Sequence, residues 1–119
     1  MLVIRDEQMA VLNQFAERRF EEKMMKFLRQ QFREAKPMSP EELRPVVRTQ
    51  IAQARSYELL TEQHIATYVT TAWLISWHFD MEFPEVQERL KSAEYEAQEK
   101  SEWLVEWATA RVNHSQRNG

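Results

Sequence analysis

Apolar residues along this chain recur at spacings of three and four, the period of a helix packed on one side. Leu12, Ala16, Phe20, Met24, Phe27 and Leu28 form one such stripe. Val11 and Phe15 lie to one side of it, Met25 and Phe32 to the other. The pattern predicts a first helix over 6–35. Asp6 serves as its N-cap, with Ile4 positioned to staple onto Met9 or Ala10.

"KPMSPEELRP" is the strongest punctuation in the chain. Pro37 drives the residue before it out of the α region and closes the first helix. Ser39 then reads as N-cap, Pro40 as the first helical residue and Glu42 as the far half of a capping box. The second helix is expected over 40–57, through Val47, Ile51 and Ala54, with an irregular or kinked turn at Pro45.

Thr61 opens a third predicted helix, 61–79. Wound at a helical period, Ile65, Ala66, Tyr68, Val69, Ala72, Trp73, Ile75, Ser76, Trp77 and Phe79 cover an arc of roughly 200°. Thr67, Thr70, Thr71 and His78 face the other way, with Leu74 among them. A helix apolar over that much of its girth belongs between neighbours.

The fourth predicted helix, 84–112, keeps a 4-3 rhythm through Val86, Leu90, Ala93, Ala97, Leu104 and Trp107, with a gap near Lys100. Glu85, Glu88, Glu94, Glu96, Glu99, Glu102 and Glu106 fill much of the remainder. Packing against the domain is the first reading of this repeat, and a self-association seam the second. The expectation is an all-α, compact bundle of four helices, or five if the last bends near 92–95. One domain spans 1–112, and residues 113–119, "NHSQRNG", form a disordered tail.

Composition agrees with the helical pattern. The chain has 119 residues, 43 % of them hydrophobic and 29 % charged, with a single Gly at its last position. Turns that need positive φ are therefore scarce, while helix formers abound. The absence of Cys rules out disulfides and thiolate metal sites, and fits a reducing, cytoplasmic setting. "MLVIRDEQM" lacks the basic start and long apolar core of a signal peptide. The stretch 65–79 is too short and too polar to span a bilayer.

Net charge is −3, unevenly placed. Residues 1–60 hold eleven basic and nine acidic residues, and residues 61–119 hold five and ten. Lys23, Lys26, Arg29, Arg33 and Lys36 share one face near the end of the first helix. Solvation and the helix dipole account for this strip first, a phosphate or an acidic partner second. Nucleic acid is not the expected partner, because no general basic excess exists.

The familiar catalytic and cofactor motifs are missing. With one Gly there is no phosphate-cradling loop and no nucleophile elbow. His64, His78 and His114 form no i, i+4 pair, and Glu-x-x-His does not occur. No enzyme activity, cofactor or metal is expected.

What stands out is surface. Trp73 and Trp77, and again Trp103 and Trp107, form two i, i+4 pairs. Core packing between the third and fourth helices is the simpler reading. The functional one is a partner-binding face that includes Trp73, Leu74, Trp77, His78, Trp103 and Trp107.

The succession "IRDEQM", Phe20, "FLRQQF", "VVRTQIAQARSY", "TEQHIATYV" and "HFD" resembles a family of small helical proteins of Gram-negative bacteria. These are encoded beside type VI secretion spike, effector-adaptor and effector genes. The resemblance covers about residues 4–83 and carries over no catalytic residue. It implies an accessory, co-adaptor or chaperone role, with an effector, an effector adaptor or a toxin as the protein partner. An immunity protein that neutralises a toxin is the alternative. The chain departs from the pattern twice. Glu58 stands where relatives of that kind have a helix-stopping Gly, and Ser76–Trp77 replace a Gly-containing turn. The first departure implies a helix that runs on or ends under strain, the second a longer third helix.

Overall fold

A computed structural model describes the backbone of residues 6–118 and the side chains of residues 16–114. The Asp6 cap, the Ile4 staple and the placement of Val11, Leu12 and Phe15 lie outside the described residues. Every regular element among those described is an α-helix. In order they are α1 (Asp6–Gln31), α2 (Pro40–Ser56), α3 (Glu62–Leu74), α4 (Phe79–Glu82), α5 (Pro84–Lys91) and α6 (Ala97–Asn118).

The chain divides into two compact units between Val47 and Arg48. The division falls inside α2, so no Pro- or Gly-rich linker announces it. In the first unit, α1 stops at Gln31, four residues short of the expected end. The chain then tightens into i→i+3 turns, with Ala35 N–H on Phe32 O (3.2 Å) and Met38 N–H on Ala35 O (3.2 Å). Arg29 Nη2 reaches across to Met38 O (2.8 Å) and fixes this turn to α1. The capping box forms as expected: Glu42 N–H donates to Ser39 Oγ (3.2 Å), and Ser39 N–H to Glu42 Oε1 (3.5 Å). α2 runs on through Pro45.

In the second unit, α2 ends without glycine. Leu59 N–H bonds Ala54 O (3.2 Å) and Glu58 N–H bonds Arg55 O (3.0 Å), the paired closure of a Schellman motif. That motif puts Glu58 at φ 66, the one described residue with positive φ. Leu59 is fully buried behind it. The strained ending foreseen for Glu58 is present, and the helix does not run on.

The expected third helix is two elements. Thr61 Oγ1 accepts His64 N–H (3.1 Å) and starts α3 as foreseen. α3 then ends at Leu74, and a turn over 75–78 leads into α4. Ser76 builds that turn in place of a glycine. Its carbonyl accepts Phe79 N–H (3.1 Å) and its hydroxyl donates to Glu82 Oε1 (2.7 Å). A polar side chain able to bond locally competes with helix continuation, which is why the third helix is shorter than expected.

The expected fourth helix also breaks, at 92–96, close to the anticipated bend. Ser92 Oγ accepts Glu94 N–H (3.2 Å), and Glu99 Oε1 reaches back to Glu96 N–H (3.2 Å), restarting the helix as α6. The backbone of α6 continues to Asn118, beyond the Val112 limit that the apolar rhythm suggested. α3 packs chiefly on α6. Ile65, Tyr68, Val69, Ala72, Phe79, Val86, Leu90 and Leu104 are buried here. The gap in rhythm at Lys100 is no solvent position: Lys100 is only 4 % exposed.

Candidate partner-binding surface

The two Trp pairs meet different fates. Trp103 and Trp107 stack at 6.2 Å with their planes 15° apart. Trp107 also lies on Phe79 (6.1 Å) and edge-to-face with Phe83 (5.1 Å). Two arginines complete a ladder of cations and rings. Arg89 sits over Tyr95 (4.0 Å) and Trp103 (5.1 Å), and Arg111 over Phe83 (4.2 Å) and Trp107 (5.2 Å). This pair is half-buried and packs against its own unit.

Trp73 is half-buried as well. Its indole N–H donates to Gln50 Oε1 (2.9 Å), a partner on α2 that is itself buried. Trp77 is different. The turn carries it off the end of α3, where it keeps edge contact with Trp73 (5.2 Å) and stays 44 % exposed. Leu74 beside it is 47 % exposed, and Met81 on α4 is 66 % exposed. His78 is exposed at the start of α4. Of the six expected surface residues, then, Leu74, Trp77 and His78 face solvent, and Trp73, Trp103 and Trp107 are largely engaged within the unit. Met81 joins the exposed set and was missed, because it fell in the connection expected between the helices 61–79 and 84–112, where no helical face could be read.

A buried polar knot holds α4 in place. Asp80 is 2 % exposed, and its Oδ2 accepts from the Tyr57 hydroxyl (2.6 Å) and from Gln53 Nε2 (2.9 Å). Lys100 Nζ donates to the carbonyl of the same Tyr57 (3.2 Å). Tyr57 thus ties the end of α2 to α4 through its hydroxyl and to α6 through its backbone. Burial, then the hydrogen bond to Asp80, push its hydroxyl up from 10.0 to about 12. Burial and the Asp80 charge push Tyr68 in the same direction. Both tyrosines are therefore neutral donors at physiological pH.

The knot orients α4 so that Phe79 and Asp80 point inward and Met81 and Glu82 outward. A four-residue helix cannot hold such an orientation by itself. The exposed Leu74, Trp77 and Met81 are thus presented on an anchored backbone.

No group of three His, Asp or Glu among the described residues is placed to hold a metal ion. No described helix is long and apolar enough to cross a membrane. The chain matches no family model, no curated protein and no solved structure.

Proposed function

We propose that this chain is a non-catalytic protein-binding factor that docks its partner through Leu74, Trp77 and Met81. The observation that carries this reading is the exposure of these three large apolar side chains, 47 %, 44 % and 66 %, within eight residues. Such residues lose favourable burial energy when left in water, and Trp is enriched among interface residues whose truncation costs most. The resemblance over residues 4–83 names the partner class: an effector or effector adaptor of a type VI secretion system, held in the cytoplasm before loading. The chain acts there as accessory factor, co-adaptor or chaperone.

A second reading, an immunity protein, draws on one specific feature. Glu85, Glu88, Glu94, Glu96, Glu99, Glu102 and Glu106 are all exposed along 85–106. An acidic face of this kind complements a basic toxin cleft.

Co-expression with the products of adjacent genes tests both. The expected result is a stable complex that Trp77→Ala and Met81→Ser weaken by about tenfold or more at unchanged melting temperature. A chain that purifies alone from such mixtures at micromolar concentration overturns the proposal. Protection of cells by this chain without any other gene selects the immunity reading.

A further inference from the structure

The first unit carries a groove of about 640 Å³ between the C-terminal half of α1, the turn after it and the start of α2. Four cationic side chains line it, Lys26 and Arg29 from α1, Lys36 from the turn and Arg44 from α2, against one carboxylate, Glu22. Two of the four are held in place. Arg29 Nη2 is bonded to Met38 O (2.8 Å), which anchors one end of its guanidinium. Arg44 is paired with Glu21 (3.6 Å), a residue outside the groove lining. A concave surface concentrates the field of such a cluster, and a guanidinium's fork of donors matches the geometry of a carboxylate or phosphate oxygen pair.

We infer that this groove binds an acidic segment of a partner protein. The ligand chemistry is set by the excess of cations. Its class follows from size and from the rest of the chain. About 640 Å³ holds a few side chains, whereas nucleic acid is bound along extended basic tracks. The net charge of −3 disfavours a long phosphodiester polyanion. A short segment that places two or three carboxylates on one face satisfies the groove. The groove's lining shares no residue with Leu74, Trp77 and Met81, so it does not depend on the reading given to them.

The test is fluorescence anisotropy with the full chain at low salt. The probes are a labelled helical peptide with Glu at i, i+4 spacing, its Gln counterpart, and a single-stranded DNA of similar length. The expected result is binding of the Glu peptide at least about tenfold tighter than either other probe, weakening as salt rises. Lys26→Glu with Lys36→Glu should weaken it by about tenfold more than Arg18→Glu with Arg19→Glu, exposed residues outside the groove that change net charge equally. Circular dichroism confirms that each variant keeps its helices. Equal binding of the Glu and Gln peptides, equal loss in both double variants, tighter binding of DNA, or no binding of any probe overturns the inference.

Discussion

Trp73–Trp77 and Trp103–Trp107 are the same feature in sequence, two tryptophans four apart in a helical pattern, and they end in different environments. Trp103 and Trp107 lie within α6, so both point along one helix face. There they stack between phenylalanines and arginines of their own unit. Trp73 lies within α3, but Trp77 lies beyond its end, and the turn sends it outward. Spacing places two rings on one helix face only while the helix that sets the spacing persists; Trp73 and Trp77 still touch edge-on at 5.2 Å, but across the turn. The fate of the second ring depends on a boundary, and boundaries rest on local competitors such as the Ser76 hydroxyl.

The sharpest way to break this comparison is to truncate one ring from each pair. Trp107→Ala removes a ring with partners in Phe79, Phe83, Trp103 and Arg111. It should cost about 3 kcal/mol, near the lower end for a buried tryptophan because Trp107 is half-buried. Trp77→Ala should cost no more than about 0.5 kcal/mol, as surface changes do. Urea unfolding of both variants decides the matter. Equal losses mean that Trp77 belongs to the core and that the proposed docking surface is wrong.

A second prediction tests what keeps α4 turned so that Phe79 packs and Met81 does not. Tyr57→Phe leaves the Asp80 carboxylate buried with one donor fewer, and should cost about 1–3 kcal/mol at neutral pH. The pH dependence has a definite sign. Tyr57 holds its proton more tightly when folded, about 12 against 10.0. Its contribution is therefore whole below pH 10 and is lost as pH rises towards 12. The melting temperature should fall over that window, and Tyr57→Phe should remove part of the fall. Tyr68, raised by the same causes, supplies a further part. An alkaline profile unchanged in Tyr57→Phe removes Tyr57 from the account.

Much of this architecture is legible along the chain, and the reasons for the rest are physical. Caps at Ser39 and Thr61 could be read because each needs only a side-chain oxygen beside a free N–H. The all-helical class followed from period and from the lack of glycine. The early ends of α1 and α3 were hidden, because the bonds that make them involve Arg29 with Met38 and Ser76 with Glu82, across turns that periodicity does not describe. The Asp80 knot was hidden for a different reason: Tyr57 and Asp80 are 23 residues apart. Lys100 looked like an interruption of the apolar rhythm, yet it is buried on the Tyr57 carbonyl, a contact 43 residues away. For the exposed surface, the pattern named Leu74, Trp77 and His78, which are exposed, together with Trp73, Trp103 and Trp107, which are half-buried, and it left out Met81.

The smallest expected effect separates the two positions where glycine was anticipated. Both turn the chain, but by different means. Glu58 adopts φ 66, a region that costs a side-chain-bearing residue about 1–2 kcal/mol and costs glycine little. Ser76 is not among the positive-φ residues, and it closes its turn with side-chain bonds to Glu82 and to the His78 N–H (3.4 Å). The same substitution should therefore act with opposite sign. Glu58→Gly should stabilise by about 0.5–1 kcal/mol, the relief of the left-handed conformation less the added freedom of the unfolded chain. Ser76→Gly should destabilise by about 1 kcal/mol, since it deletes the bonds and adds that freedom with no strain to relieve. Paired denaturation curves measure both. If Ser76→Gly proves neutral, the turn is held by its surroundings rather than by Ser76. The outward course of Trp77 would then have to be credited to the Asp80 anchor alone.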